Sequence, residues 1–214
     1  MKLKNFGLYF ITDSELSRKN VIEDVKSAIK GGVKIVQYRE KSASTKQMIE
    51  ECKKLKIICK KGNALFLIND RIDVALAVDA DGVHLGQEDM PYWHARKLLG
   101  KNKIIGLSAH SVKHALKNQK LGADYTSIGP VYCTTTKKTA KEPIGLEPIR
   151  QLKNRLKIPF VAIGGINESN IDEVLEAGAR NVAMISAIVA KGDVEECVRE
   201  FIGKLKTYRN LGGD

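Results

Sequence analysis

The stretch KIVQYREK, residues 34–41, sets an amide and two cations along one side of a single extended segment. Strand alternation puts Val36 and Tyr38 on one face and Ile35, Gln37, Arg39 and Lys41 on the other. Cations turned inward are costly unless an anion meets them, so this face calls for an anionic ligand, and a diphosphate fits; the competing reading has Glu40 or another carboxylate pairing locally. Two further segments, Leu67-Ile68-Asn69-Asp70 and Gly86-Gln87-Glu88-Asp89, end apolar runs in carboxylates. Asp70 and Asp89 could hold Mg²⁺, which commonly takes one or two carboxylates plus substrate phosphates. Alternatively each caps a helix, Asp89 ahead of Met90-Pro91 and Asp70 in the same way.

Hydroxyls and glycines supply a second set. Thr134, Thr135 and Thr136, followed by Lys137 and Lys138, read either as a wet loop or as a grip on an anion. Gly164-Gly165 and Ile185-Ser186-Ala187 follow apolar runs, and glycines let a phosphate approach backbone N–H groups. Ser108 in GLSAH either reaches a substrate or caps a helix near Ser111. His84 reads as a satisfied core histidine, and His110 has no nucleophile or acid placed beside it.

What must position these residues is a repeated unit. Short apolar runs (LYFIT, KIVQYREK, ALFLIND, GVHLG, KIIGLSAH, YTSIGPVY, FVAIGGI, NVAMISAIV) alternate with segments of helical period. About eight such units without a long linker predict a single (β/α)₈ TIM barrel spanning residues 1–214 as one domain, with a doubly wound open sheet as the alternative. Gly31, Gly100, Gly122 and Gly178 suit helix ends. In such a barrel chemistry gathers at the carboxyl ends of the strands, with phosphate often beyond strands seven and eight.

Composition narrows the ligand. The chain has 214 residues, a formal charge of +11 and 6% aromatics that do not interleave with the basic clusters, so the stacking platforms of single-strand nucleic-acid binders are missing and small anions are the expected partners. Cys52, Cys59, Cys133 and Cys197 form no C-x-x-C pair and no leader-like stretch precedes the first apolar run, which together set the expectation of a reduced cytoplasmic protein. No apolar run approaches the roughly 20 residues of a membrane span.

VQYREK, LINDRIDVALAVDADGVHLGQED, GLSAH, GADYTSIGPVYCTTTKK, IGLE, VAIGGI and NVAMISAI, in order from about Tyr9 to Ile188, resemble the thiamine-phosphate synthase family. The resemblance implies a Mg²⁺-dependent barrel enzyme, with one ion per subunit, that joins a hydroxymethylpyrimidine diphosphate to a thiazole phosphate and releases pyrophosphate. Carried over by position, the pyrimidine diphosphate site covers Gln37, Tyr38, Arg39, Glu40 and Lys41, with Asn69, Ser108 and Lys137. Magnesium falls to Asp70 and Asp89, and the thiazole phosphate to Thr134, Thr135, Thr136, Gly165, Ile185 and Ser186. Arg39, Lys41 and Lys137 are then expected to act on the leaving pyrophosphate. The chain departs from the family at Cys133, where proline is usual, and at Thr135, where an acid is frequent. The rivals are the related thiazole tautomerase and a non-catalytic barrel binding phosphorylated ligands or RNA; a homo-oligomer is left open.

Overall fold

The computed structural model describes residues 3, 6–136 and 142–211. Eight parallel strands close into a barrel in chain order: β1 (Leu8–Ile11), β2 (Ile35–Tyr38), β3 (Leu65–Asn69), β4 (Gly82–Leu85), β5 (Ile104–Ala109), β6 (Tyr125–Ile128), β7 (Phe160–Ile163) and β8 (Val182–Met184). Pairing of Leu8 with Val182 joins the last strand to the first. Closure rules out the open sheet. Around the barrel run α1 (Val21–Gly31), α2 (Thr45–Lys61), α3 (Ile72–Ala77), α4 (Tyr92–Leu99), α5 (Val112–Leu121), α6 (Glu147–Leu152), α7 (Ile171–Glu176), α8 (Ser186–Val189) and α9 (Val194–Leu211). None of them, over the described residues, is long and apolar enough to cross a membrane.

Strand alternation divides the core in two. Tyr9, Ile11, Ile35, Leu67, Ile104, Tyr125, Val161 and Ala183 fill the inside of the barrel. Phe10, Val36, Tyr38, Phe66 and Ile68 pack outward beneath the helices. Removing one such side chain from water stabilises the fold by about 1.5–3 kcal/mol, so a one-residue slip of β2, which would exchange its two faces, is strongly disfavoured.

Local signals start and stop the helices. The Asn20 side chain accepts from the Glu23 N–H at 2.9 Å to open α1, and Ser44 with Gln47 forms a capping box on α2. Ser111, not Ser108, caps α5 by accepting from the His114 N–H at 3.2 Å. Of the expected glycine stops, Gly100 and Gly122 close α4 and α5, and Gly178 lies just past the end of α7. Gly31 is still helical, and its neighbour Gly32 takes the left-handed position at φ 110°. The run NVAMISAIV is a strand only through Met184, where pairing to β1 ends. Its remainder turns into α8 and stays apolar because Ile188 and Val189 are buried there.

Candidate active site at the carboxyl rim of the barrel

The strands end around a cavity of about 470 Å³. Gln37, Arg39, Lys41, Asn69, Asp70, Asp89, Ser108, Thr134, Thr136, Gly165, Ile185 and Ser186, all expected from the sequence, line it. Three expected residues do not. Tyr38 points outward, buried under α2, where its hydroxyl donates to Glu51 at 2.8 Å. Glu40 turns back on its own loop, its Oε1 accepting from the N–H groups of Lys41, Ser42 and Ala43 and from the Ser42 hydroxyl. Burial alone would raise the Glu40 carboxyl, but donors from Ser14, Ser42 and Ala43 outweigh it and hold it down to about 2. Thr135 is exposed, at a bend of its loop. Lys137 lies outside the described residues.

One wall is built from charge. Arg39 donates to Asp13, beyond β1, and Lys41 Nζ donates to Asp70 at 2.6 Å. The partners of the two cations therefore come from other strands rather than from Glu40. Asp13 was not marked by the sequence; a lone acid after LYFIT carries no spacing signal, and only the pairing of β1 with β2 sets it beside Arg39. Asp89 accepts from the Gly86 N–H at 2.5 Å and lies within hydrogen-bond reach of Asp70. Burial, and then the adjacent Asp70, push the Asp89 carboxyl up. Burial pulls Asp70 the same way, but Asp89 and the Lys41 ammonium outweigh it and hold Asp70 low. Neither acid caps a helix: the caps are Arg71 and Pro91, without a side-chain bond. Asp70 instead sits at φ 61°, a left-handed conformation that aspartate tolerates better than most residues, with its carboxylate turned toward Lys41.

The opposite wall is built from backbone. Gly164 and Gly165 have φ of 101° and 67°. A Cβ on Gly164 would lie 2.4 Å from Pro130 Cβ, and one on Gly165 would lie 2.4 Å from the Cys133 carbonyl. Both glycines thus let the loop after β7 press against the loop that carries the threonines. Within that loop the Thr134 hydroxyl accepts from the Thr136 N–H at 3.4 Å. Ile185 and Ser186 begin α8 beside it.

The floor is a chain of buried polar groups. His84 bonds Tyr125 and Ser108, as expected of a satisfied core histidine, yet it also lines the cavity. Tyr9 and Tyr125, which looked like apolar filling in LYFIT and YTSIGPVY, complete the chain to Gln37.

Set beside known proteins, residues 8–188 match the family described as Thiamine monophosphate synthase. The chain is 52% identical over 207 residues to the thiamine-phosphate synthase of Methanosarcina barkeri, covering 97% of this chain and 94% of that one. It is 50% identical over 197 residues to that of Chloroflexus aurantiacus, covering 92% and 91%. Among solved structures, the thiamine phosphate pyrophosphorylase of Pyrococcus furiosus superposes with a TM-score of 0.88 at 42% identity, covering 96% of this chain and 98% of that one.

Proposed function

The chain belongs to the thiamine monophosphate synthase family, and we propose that its rim cavity joins a pyrimidine methyl diphosphate to a thiazole phosphate, giving thiamine phosphate and pyrophosphate. The observation that carries this reading is the pairing of two unlike anion-binding walls across one cavity of about 470 Å³. The charged wall suits a diphosphate and the glycine–threonine wall suits a monophosphate.

In this reaction the bond from the pyrimidine methylene to the diphosphate oxygen breaks, and the leaving group keeps the electron pair. The aminopyrimidine ring stabilises the cation left behind, and the thiazole nitrogen forms the new bond. No strong base is required. Arg39 and Lys41 exchange their contacts with Asp13 and Asp70 for the developing charge on pyrophosphate. We assign Lys137 the same task by family position. The glycine–threonine wall holds the second substrate so that its nitrogen faces the methylene.

The donor set fits magnesium. Asp70 and Asp89 are two half-buried carboxylates within hydrogen-bond reach of each other, and such a pair would hold the ion together with oxygens of the diphosphate substrate. Bound by Asp70 and Asp89, the ion would supply charge neutralisation on the leaving diphosphate. Thiazole tautomerase chemistry, which needs neither diphosphate nor metal, would give the Asp70–Asp89 pair no task. We place the reaction in the cytoplasm, with small molecules as the partners and neither nucleic acid nor membrane involved.

A coupled assay with both substrates and magnesium tests this reading. Formation of thiamine phosphate and pyrophosphate in equal amounts is expected; no product at substrate saturation would refute it.

A further inference from the structure

The floor of the cavity holds five polar side chains in one line. Gln37 Nε2 donates to the Tyr9 hydroxyl at 2.8 Å, and the Tyr9 and Tyr125 hydroxyls are 2.8 Å apart. The Tyr125 hydroxyl lies 2.9 Å from His84 Nδ1, and His84 Nε2 lies 3.0 Å from Ser108 Oγ. The space for Tyr125 comes from Gly106 on β5, where a Cβ would sit 2.0 Å from the ring Cζ.

A phenol has one proton to give, so the first bond sets the direction of the rest. Tyr9 accepts from Gln37 and therefore donates to Tyr125. Tyr125 then donates to His84 Nδ1, which leaves the histidine proton on Nε2, directed at Ser108. Both tyrosines are fully buried, and burial raises their pKa values, so they remain protonated donors across the physiological range.

We propose that Tyr9, Tyr125 and His84 are positioning residues that keep a proton on His84 Nε2, directed at Ser108, and so turn the Ser108 hydroxyl proton into the cavity, toward the pyrimidine substrate. The substrate's identity rests on the synthase reading; the proton arrangement does not. Ser108 accepts from His84 and presents its own O–H as a donor. With the Gln37 amide reversed, the line runs the other way, His84 carries its proton on Nδ1, and the Ser108 proton is consumed by the histidine.

The first test is made on the wild-type chain without substrate, by two-bond ¹H–¹⁵N NMR of labelled histidine, with the resonance assigned by its loss in His84→Gln. A ring protonated at Nε2 is expected; a ring whose only proton is on Nδ1 overturns the proposal, whatever the catalytic activity proves to be. The second test is kinetic. Tyr125→Phe cuts the line and is expected to raise KM for the pyrimidine diphosphate or lower kcat by about tenfold, the loss of roughly one directed hydrogen bond, with KM for the thiazole phosphate unchanged. His84→Gln, which offers an amide N–H in place of Nε2–H, is expected to recover activity that His84→Leu loses. Equal KM shifts for both substrates, or equal activity of the Gln and Leu variants, would show a purely structural role.

Discussion

The two walls of the cavity are built from different physics, and in the proposed reaction each would meet its anion in its own way. The rim after β2, β3 and β4 presents side-chain charge: Arg39 against Asp13, Lys41 against Asp70, and Asp70 beside Asp89. The rim after β6, β7 and β8 offers backbone and hydroxyls, with Gly164 and Gly165 at positive φ pressed against the loop of Thr134 and Thr136. A charged wall can release cations to a group whose charge grows during reaction, whereas a backbone wall offers fixed dipoles to a phosphate that does not change. Under the proposed reaction, this difference gives the departing group to the first wall and the held group to the second.

Breaking the charged wall should have the largest effect. Asp70→Ala combined with Asp89→Ala is expected to abolish magnesium-dependent pyrophosphate release, a fall of at least about 10²–10³ in kcat by analogy with losing a group that stabilises transition-state charge. Turnover at the wild-type rate would remove both residues from the mechanism. Next comes the backbone wall. Gly165→Ala forces a Cβ against the Cys133 carbonyl at an unfavourable φ, and a displacement of that loop by about 1 Å could cost up to about 10² in kcat/KM for the thiazole phosphate. An unchanged KM for that substrate would move the monophosphate elsewhere.

A smaller effect is expected from Asp13→Asn, which keeps the shape of the Arg39 contact and removes its charge. The freed guanidinium should bind the diphosphate more tightly in the ground state, so KM for the pyrimidine substrate should fall together with kcat. The smallest expected effect is at Glu40. Its carboxyl has a folded pKa of about 2 against an ordinary 4.5, so it stabilises its loop above about pH 4.5 and loses that contribution as pH falls toward 2. Thermal melts of the wild type and Glu40→Gln should therefore differ most near pH 6 and converge as the solution is acidified. A gap that widens toward low pH would show the reverse linkage.

The charged wall was largely legible in the sequence, because alternation in KIVQYREK and carboxylates at the ends of two apolar runs are local signals. Two of the expected residues turn their side chains away from the cavity. Tyr38 and Glu40 came in with a contiguous stretch, although the alternation that puts Gln37 and Arg39 inside directs their neighbours elsewhere. Asp13 was missed because its meaning depends on the β1–β2 pairing. The backbone wall was legible only as glycines and threonines: which hydroxyls face inward, and how closely the two loops approach, are set by tertiary packing. α8 was hidden because its buried face continues the apolar run of β8 without a break. The floor relay was least visible, since a tyrosine in an apolar strand does not announce where its hydroxyl ends.

Isothermal titration of each substrate separately, with and without Mg²⁺, tests the division of labour between the walls most directly. Binding of the pyrimidine diphosphate is expected to tighten at least tenfold with magnesium, through an effect lost in the Asp70→Ala, Asp89→Ala chain, while binding of the thiazole phosphate is indifferent to the ion in both. Magnesium dependence for the thiazole phosphate alone, or for neither substrate, would contradict it.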